Sequence, residues 1–270
     1  MISVSKIRRL GQTMEYRYSD ELKDEFSGIK RDTITIDETY QYLHLNQFWK
    51  TASFFLYHFI MTPVAYLYLK WKFHIRFVNR KVLRTQKGSY FLYGNHTQVP
   101  GDGYIPTAMT APKRDIVITN ADNVSLKGTR TFMEMIGAYP LPDNYGAMKN
   151  FMKGLKHHIS KGYNIVIYPE AHIWPYYTDI RPFTEDSFAF PVLFSKPVFC
   201  FTITYQKQRL QKIPAMTVYI DGPFFPDLQI GKKEAGKKLR DEIYHCMKNR
   251  CKNSSYEYIH YRRETGSVQK

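Results

Sequence analysis

The stretch Tyr90-Phe-Leu-Tyr-Gly-Asn-His-Thr-Gln-Val-Pro-Gly-Asp102 decides where the chemistry of this sequence lies. It passes from an apolar β-type segment directly into a polar loop, and such strand exits carry the working residues of α/β folds. Histidine titrates near neutral pH, so His96 can take a proton from a hydroxyl, and a carboxylate on its other ring nitrogen would fix the tautomer. We therefore expect His96 to be a general base that Asp102 orients. A histidine that only forms a hydrogen bond within the loop is the alternative.

Outward from this loop, short β-type runs alternate with helical segments. The predicted strands cover residues 90–93, 115–119, 164–168, 198–205 and 217–220, and the predicted helices cover residues 129–136, 145–161, 185–195 and 232–252. Gly137 and Gly162 stand where glycines commonly end helices. This alternation predicts an α/β fold with a largely parallel sheet flanked by helices.

A second strand exit reads Asn164-Ile-Val-Ile-Tyr-Pro-Glu-Ala-His172. In a parallel sheet it would share an edge with the first exit, so Glu170 is expected to face the same pocket as His96. His96, Glu170 and His172 are also types that bind zinc or iron, which leaves a metal-dependent hydrolase as an alternative. Because they lack a compact ligand spacing, no metal is predicted.

Residues 51–69 form the one membrane-grade segment of the sequence. They contain no formally charged side chain and are flanked by Trp49 and Lys50 on one side and by residues 70–72, Lys-Trp-Lys, on the other. The length is at the low end for a bilayer crossing, and Pro63 is expected to kink or split the helix. A full crossing and a shallow anchor both remain open. A buried helix of a soluble domain is the other interpretation.

Composition limits the partners. The formal net charge of +15 favours an anionic partner, and the 16% aromatic content favours a membrane surface over nucleic acid, for which no binding signature is present. Three cysteines, at positions 200, 246 and 251, predict neither a disulfide framework nor a zinc motif. The N-terminal segment lacks the features of a secretory signal, so we expect a membrane-associated protein on the cytoplasmic face.

These patterns divide the chain into four parts. Residues 1–46 form a polar N-terminal segment, residues 47–75 a membrane-associating helical segment, residues 76–252 the α/β domain, and residues 253–270 a loose basic tail. The sequence leaves the oligomeric state open.

Four ordered blocks resemble the glycerolipid acyltransferase superfamily, which includes the glycerol-3-phosphate and 1-acyl-glycerol-3-phosphate acyltransferases. The blocks are Asn95-His96 with Asp102, Gly137-Ala-Tyr-Pro140, Tyr168-Pro-Glu170 and Lys196-Pro-Val-Phe-Cys-Phe-Thr202. The resemblance implies an acyltransferase-like fold and direct transfer of a fatty acyl group from a thioester of acyl-carrier protein or coenzyme A to a hydroxyl of a lipid. No cofactor beyond that co-substrate is implied. The absence of a Gly-x-Ser-x-Gly motif also disfavours a covalent acyl-enzyme.

Two departures from the family pattern concern the site. Five residues separate His96 from Asp102 where the family usually has four, so the loop must bulge, with Gly101 the candidate position. The second block continues to Asp143 where phosphate-acceptor members have a basic residue, and the third lacks its usual Gly-Thr-Arg continuation.

The departures leave the acceptor open. The side chains expected to contact substrate are those of Asn95, Glu170, Arg181, Lys149 and Lys153, the last three as candidate phosphate ligands. A 1-acyl-glycerol-3-phosphate is the default acceptor. A non-phosphoglycerol acceptor and a lipid-binding protein without activity are the alternatives.

Overall fold

A computed structural model describes residues 8–10, 13–28, 33–99, 101–125, 128–209 and 211–264. The strands are β1 (Arg8–Leu10), β2 (Thr13–Tyr18), β3 (Arg76–Val78), β4 (Phe91–Gly94), β5 (Asp115–Thr119), β6 (Ala138–Pro140), β7 (Asn164–Ile167), β8 (Val198–Gln206), β9 (Ala215–Phe224) and β10 (Ile259–Arg263). The α-helices are α1 (Gln47–Phe55), α2 (Thr62–Phe73), α3 (Gly101–Thr110), α4 (Asp122–Ser125), α5 (Arg130–Met135), α6 (Tyr145–Ser160), α7 (Ala189–Phe194) and α8 (Lys232–Cys251).

A seven-stranded mixed sheet forms the centre, in the order β3-β9-β8-β4-β7-β5-β6. The five strands from β8 to β6 are parallel, and β9 pairs with β8 in the antiparallel sense. The predicted largely parallel sheet with flanking helices is confirmed. The four predicted strands of the parallel part, which correspond to β4, β5, β7 and β8, are all present. Strand β6 was not predicted, because three residues are too few to give a periodic pattern.

The two faces of the sheet carry different helices. Phe91 and Tyr93 of β4 lie in one core cluster with residues of α6 and α8, whereas Leu92 lies in another with residues of α2 and α3. Successive side chains of a strand point to opposite faces, so α2 and α3 cover one face and α6 and α8 cover the other.

The apolar segment is one helical run of 27 residues, Gln47–Phe73, long and apolar enough to cross a membrane. Asn46 caps its start by accepting the backbone N–H of Trp49. Pro63 does not split it, because a π-helical turn, Leu56–Met61, precedes the proline. The wider turn lets the Thr62 N–H reach the Tyr57 carbonyl and accommodates the missing donor and the bulk of the proline ring.

The two ends of the chain also fold onto the domain. Strand β10 lies within the predicted loose tail and pairs with β2 in the parallel sense, so residues 259–263 are ordered by backbone hydrogen bonds. The N-terminal segment packs on the loop that follows β7, where the Asp24 carbonyl accepts the indole N–H of Trp174 and the Glu25 carboxylate accepts the N–H of Ile173. Residues 265–270 of the tail lie outside the described residues.

Candidate active site

His96 and Asp102 meet at the carboxyl end of β4. The Nδ1 atom of His96 lies 2.7 Å from Oδ2 of Asp102, and the same oxygen accepts the backbone N–H of Gln98 at 2.9 Å. A carboxylate accepts only, so Nδ1 carries the proton and Nε2 keeps its lone pair. Among the described residues no hydrogen bond occupies Nε2. The arrangement is that of an oriented general base.

The start of helix α3 brings Asp102 to His96 despite the extra residue in the loop. It begins at Gly101, so Asp102 lies in its first turn, where the Asp102 N–H bonds to the Gln98 carbonyl at 3.0 Å. A Cβ atom on Gly101 would lie 2.9 Å from Cβ of Gln98, so the tight approach requires glycine. Gly101 is the position that the sequence singled out. The helix itself was not predicted, because Gly101, Gly103 and Pro106 are poor helix formers.

The two side chains of the pair differ in their exposure to solvent. Only 6% of the Asp102 side chain is exposed, against 17% of the His96 ring. Burial raises the pKa of Asp102, and the hydrogen bond from His96 opposes that shift. A buried carboxylate against a partly exposed imidazole favours the imidazolium that forms when the base takes a proton.

Tyr168 is a site residue that the sequence analysis quoted within a block but did not select. Its ring stacks on His96 with centroids 4.6 Å apart, and its hydroxyl donates to the backbone carbonyl of Asp102. Phe201 packs edge-on beneath it, in the space left by the missing side chain of Gly94. Tyr168 therefore holds both members of the pair. Its position two residues before Glu170, at the end of a buried strand, was the available signal.

Glu170 lies close to His96 but faces inward. Its Oε2 accepts the backbone N–H of His96 at 2.9 Å, and its Oε1 accepts the backbone N–H of Arg181 at 2.9 Å. The residue is 4% exposed, and burial raises the pKa of the Glu170 carboxyl while the Arg181 charge opposes the shift. The prediction that Glu170 contacts substrate is corrected, because both oxygens are used to fix the backbone of the loop.

Arg181 is likewise an internal residue. It is 1% exposed, its guanidinium lies over the ring of Trp174, and it donates to the carbonyls of Glu21, Glu170 and His172. These contacts tie the N-terminal segment to the loop after β7. The expected phosphate role of Arg181 is therefore corrected to a structural one.

Three other predicted substrate contacts are also placed elsewhere. Asn95 is fully buried, where its amide donates to the Ile203 carbonyl and accepts the Ile203 N–H, so it joins β4 to β8. Lys149 and Lys153 lie on α6, which covers the opposite face of the sheet from α3, and line a surface groove with Leu193 and Phe194. Neither lysine is brought to His96.

Asp143, the acid in place of a basic residue, is engaged by the N-terminal segment. Its carboxylate accepts the N–H of Ile36 at 2.6 Å, and its own N–H donates to the Ile36 carbonyl. Asp143 therefore cannot serve as the phosphate ligand that the family has at this position. Among the described residues, no lysine or arginine side chain contacts the His96–Asp102 pair.

The alternative metal ligands do not converge. Within the part of the chain that the structure describes, the one group of three metal-ligand types consists of Cys200, Asp221 and Cys246, whose ligand atoms lie within 4.8 Å of one another. Its carboxylate is held by Nε and Nη2 of Arg250 at 2.8 and 2.6 Å, which opposes a cation there. His96, Glu170 and His172 form no such group.

Comparison with known proteins agrees with this geometry. Residues 74–205 match the family model described as Acyltransferase. No curated protein shows significant sequence similarity to the chain. Among solved structures, the chain is similar to the crystal structure of the 1-acyl-sn-glycerophosphate (LPA) acyltransferase PlsC from Thermotoga maritima. That match has a TM-score of 0.56 and 14% sequence identity, and it covers 78% of this chain and 86% of that chain. At this identity the likeness concerns the fold.

Proposed function

Because residues 74–205 match the Acyltransferase family model, we propose that the chain moves a fatty acyl group from a thioester to a lipid hydroxyl with His96 as the base. The observation that carries the proposal is the bond between Nδ1 of His96 and the buried carboxylate of Asp102, which leaves Nε2 free to accept a proton. The acyltransferase family then assigns the reaction that such a base serves.

The proposed reaction is direct. Nε2 of His96 takes the proton of the acceptor hydroxyl while the oxygen attacks the thioester carbonyl carbon, and collapse of the tetrahedral intermediate forms the ester and breaks the carbon–sulfur bond. The imidazolium returns the proton to the thiolate that leaves. Asp102 holds the tautomer and stabilises the imidazolium.

Two of the three cysteines are poorly suited to form an acyl-enzyme, and the third, Cys246, has its pKa lowered by its hydrogen bond with Cys200 but lies on α8, which covers the opposite face of the sheet from α3. Cys200 is fully buried in β8, and its pKa is raised by its hydrogen bond with Cys246 and by burial. Cys251 is buried at the end of α8. A thiol that is buried and protonated is a poor nucleophile. At the carboxyl end of β4, His96 is then the side chain with a free lone pair that can act as a base.

For the acceptor, we propose a lysophospholipid-like molecule, with 1-acyl-glycerol-3-phosphate as the first candidate. The solved structure that resembles the chain is that of a 1-acyl-sn-glycerophosphate (LPA) acyltransferase. Because Arg181 is internal and Asp143 is bonded to the N-terminal segment, a neutral acylglycerol is the competing acceptor to test.

The proposal includes attachment to a membrane surface through the 47–73 helix. One side of this helix is apolar and faces outward: Phe48 is 82% exposed, Phe59 64% and Trp71 74%. The other side is bound to the domain, since the Ser53 hydroxyl donates to the Met135 carbonyl and Tyr57, Leu69 and Phe73 are buried.

Because one side of the helix packs on the domain and the other faces outward, a shallow membrane anchor is favoured over a helix that crosses the bilayer. The helix is fixed to the domain from Ser53 to Phe73, so it cannot cross a bilayer without bringing part of the folded domain into the hydrocarbon. An apolar face flanked by tryptophan and lysine is typical of a helix that lies in the plane of the interface. We place the domain on the cytoplasmic side.

The activity is tested by incubating the full-length protein in mixed micelles with labelled acyl-coenzyme A or acyl-carrier protein. The acceptors are 1-acyl-glycerol-3-phosphate, glycerol-3-phosphate and monoacylglycerol, and labelled lipid products are separated and counted. We expect transfer to at least one acceptor from one of the two donors. If the micelle-bound protein forms no labelled product with any pair, a lipid-binding protein without turnover becomes the better account.

A further inference from the structure

A partly open cavity of about 380 Å³ lies at the edge of the sheet away from His96. It is lined by residues that precede or begin the parallel strands, among them Arg114 before β5 and Tyr163 before β7, and by Trp49 and Ser53 of α1. His96 follows the carboxyl end of β4, so this cavity lies at the amino ends of the same strands. It is separate from the acyl-transfer site.

Arg114 lines this cavity without an acidic partner. Its guanidinium is 8% exposed, and its Nη2 donates to the Ser53 hydroxyl at 2.8 Å and to the Met135 carbonyl at 2.5 Å. The rings of Tyr57 and Tyr163 lie against its planar face. Its Nε has no hydrogen-bond partner, and no carboxylate forms an ion pair with it among the described residues. A buried cation without a counterion is strongly unfavourable, so the position of Arg114 against a cavity suits an anionic ligand.

Two further buried nitrogen atoms on the cavity wall lack partners, Nε1 of Trp49 and Nδ1 of His158. The indole N–H can only donate. Burial and the charge of Arg114 lower the pKa of His158 to about 3, so its ring is neutral and can donate from one nitrogen. The unpartnered polar atoms thus come from three elements that are distant in sequence and share one cavity.

The charge of the cavity wall is positive. Lys50 and Lys161 join Arg114, and both lysines lower the pKa of His157 after the effect of its burial. The one acidic side chain among the described lining residues, Glu134, is already bound by Arg130 at 2.9 Å and by the Tyr40 hydroxyl at 2.7 Å. Basic residues in the last turn of α6 can be explained by the helix dipole, but Arg114 and Lys50 lie on other elements and cannot.

We propose that this cavity is a second ligand site that binds a phosphate group. The guanidinium fork of Arg114 matches phosphate oxygens, and the indole N–H and Lys161 supply further donors. The cavity is larger than a bare phosphate requires, and Tyr40, Tyr42 and Tyr139 form much of its remaining wall. An organic phosphate such as a glycerol phosphate, free or as the headgroup of a lipid reached along α1, fits this combination of cation and aromatic surface.

The test measures binding to the full-length protein by calorimetry and by the shift in unfolding temperature, in neutral detergent for the soluble probes and after detergent removal for the vesicles. The probes are inorganic phosphate, glycerol-3-phosphate, and vesicles of phosphatidylcholine with or without phosphatidic acid. We expect saturable binding of at least one phosphate probe. Binding of the soluble probes identifies a free metabolite as the source, and binding only of phosphatidic acid vesicles identifies a lipid headgroup.

Variants assign the binding to the cavity. Arg114→Gln is expected to weaken the affinity at least about tenfold, and Lys161→Gln about two- to fivefold. Trp49→Phe keeps an aromatic ring beside His44 but replaces the indole by a smaller phenyl ring without the N–H, so it carries the test even if Arg114→Gln does not fold. Lys156→Gln, an exposed lysine on the same helix outside the cavity, is the matched control and is expected to bind as the wild type does.

The proposal is overturned if no phosphate probe binds, or if Lys161→Gln, Trp49→Phe and Lys156→Gln all bind alike. The measurements are repeated in the His96→Ala background. Retained binding there separates this site from the acyl-transfer site, so failure of the proposed activity would leave this result intact.

Discussion

At the scale of single residues, the proposed chemistry depends on one hydrogen bond between a buried carboxylate and a partly exposed imidazole. Asp102 is held by the first turn of α3 and by the N–H of Gln98, so the carboxylate has a fixed position before any substrate binds. In the proposed mechanism, this preorganisation lets the ring of His96 accept a proton without first being reoriented.

Asp102→Asn is expected to lower kcat by about 10²- to 10⁴-fold, because a neutral amide neither fixes the tautomer nor stabilises the imidazolium. Burial raises the pKa of this carboxyl, so the neutral variant is expected to remain folded. Acyl transfer and unfolding temperature are measured on the same preparation. A variant with wild-type turnover would contradict the role of Asp102.

Tyr168→Phe is expected to have a smaller effect. It keeps the ring that stacks on His96 and removes only the hydroxyl bond to the Asp102 carbonyl. A net hydrogen bond of about 0.5–1.5 kcal/mol corresponds to a two- to tenfold fall in kcat/KM. Tyr168→Leu, which removes the stacked ring as well, serves as the comparison. Equal activity in all three proteins would show that Tyr168 does not position the pair.

Asp115 tests the electrostatics of the core away from the site. It is fully buried, bonded to Thr110 and Asn164, and burial raises its pKa to about 6. The folded protein therefore holds this proton more tightly than the unfolded chain, and stability is lost as the pH rises from about 4 through 6. Asp115→Asn should remove this loss, up to about 3 kcal/mol at pH 7. Urea unfolding at pH 4 and pH 7 measures it, and an unchanged pH dependence in the variant would refute the assignment.

At the scale of elements, the 47–73 helix has two sides, one packed on the domain and one exposed, that a single sequence pattern cannot separate. Its apolar residues include both the side that packs on α3 and the side that faces outward, so the stretch looks uniformly hydrophobic. The fold shows which residues belong to each side, and the outward side is available to lipid.

Replacing Phe55 and Phe59 by serine is expected to weaken binding to lipid vesicles by about tenfold or more, since each ring is more than half exposed and would leave the hydrocarbon boundary. Tyr145→Ser, which removes a 92% exposed ring on the other face of the sheet, is the control. Cosedimentation with vesicles measures the difference. Equal binding of the two variants would mean that another surface contacts the membrane.

Some elements of the fold could be predicted from the sequence and others could not. The strands that form the parallel core were predictable because each is a short apolar run bounded by polar turns. Helix α3 was hidden by its glycines and proline, and the association of the N-terminal segment with the loop after β7 has no periodic pattern. The prediction that Glu170 and Arg181 contact substrate was wrong, because both side chains form hydrogen bonds with the backbone instead. Some of these backbone groups, such as the carbonyl of Glu21, lie far away in the sequence.

For the whole molecule, the fold places three features on one domain. The carboxyl ends of the parallel strands carry the His96–Asp102 pair, the amino ends border the cavity that contains Arg114, and the 47–73 helix runs along the surface beside both α3 and that cavity. If the proposed attachment through the outer face of this helix holds, the lipid acceptor would come from the bilayer and the thioester from solution.

The central claim is that His96 is the base of acyl transfer, and the most direct measurement compares the wild type with His96→Ala. Both are assayed with a labelled thioester and the best acceptor in the same micelles, with His245→Ala, an exposed histidine on α8, as the matched control. We predict that His96→Ala reduces the rate at least about 10²-fold while it remains folded and lipid-bound, and that His245→Ala does not change it. Transfer by His96→Ala at the wild-type rate would contradict the account.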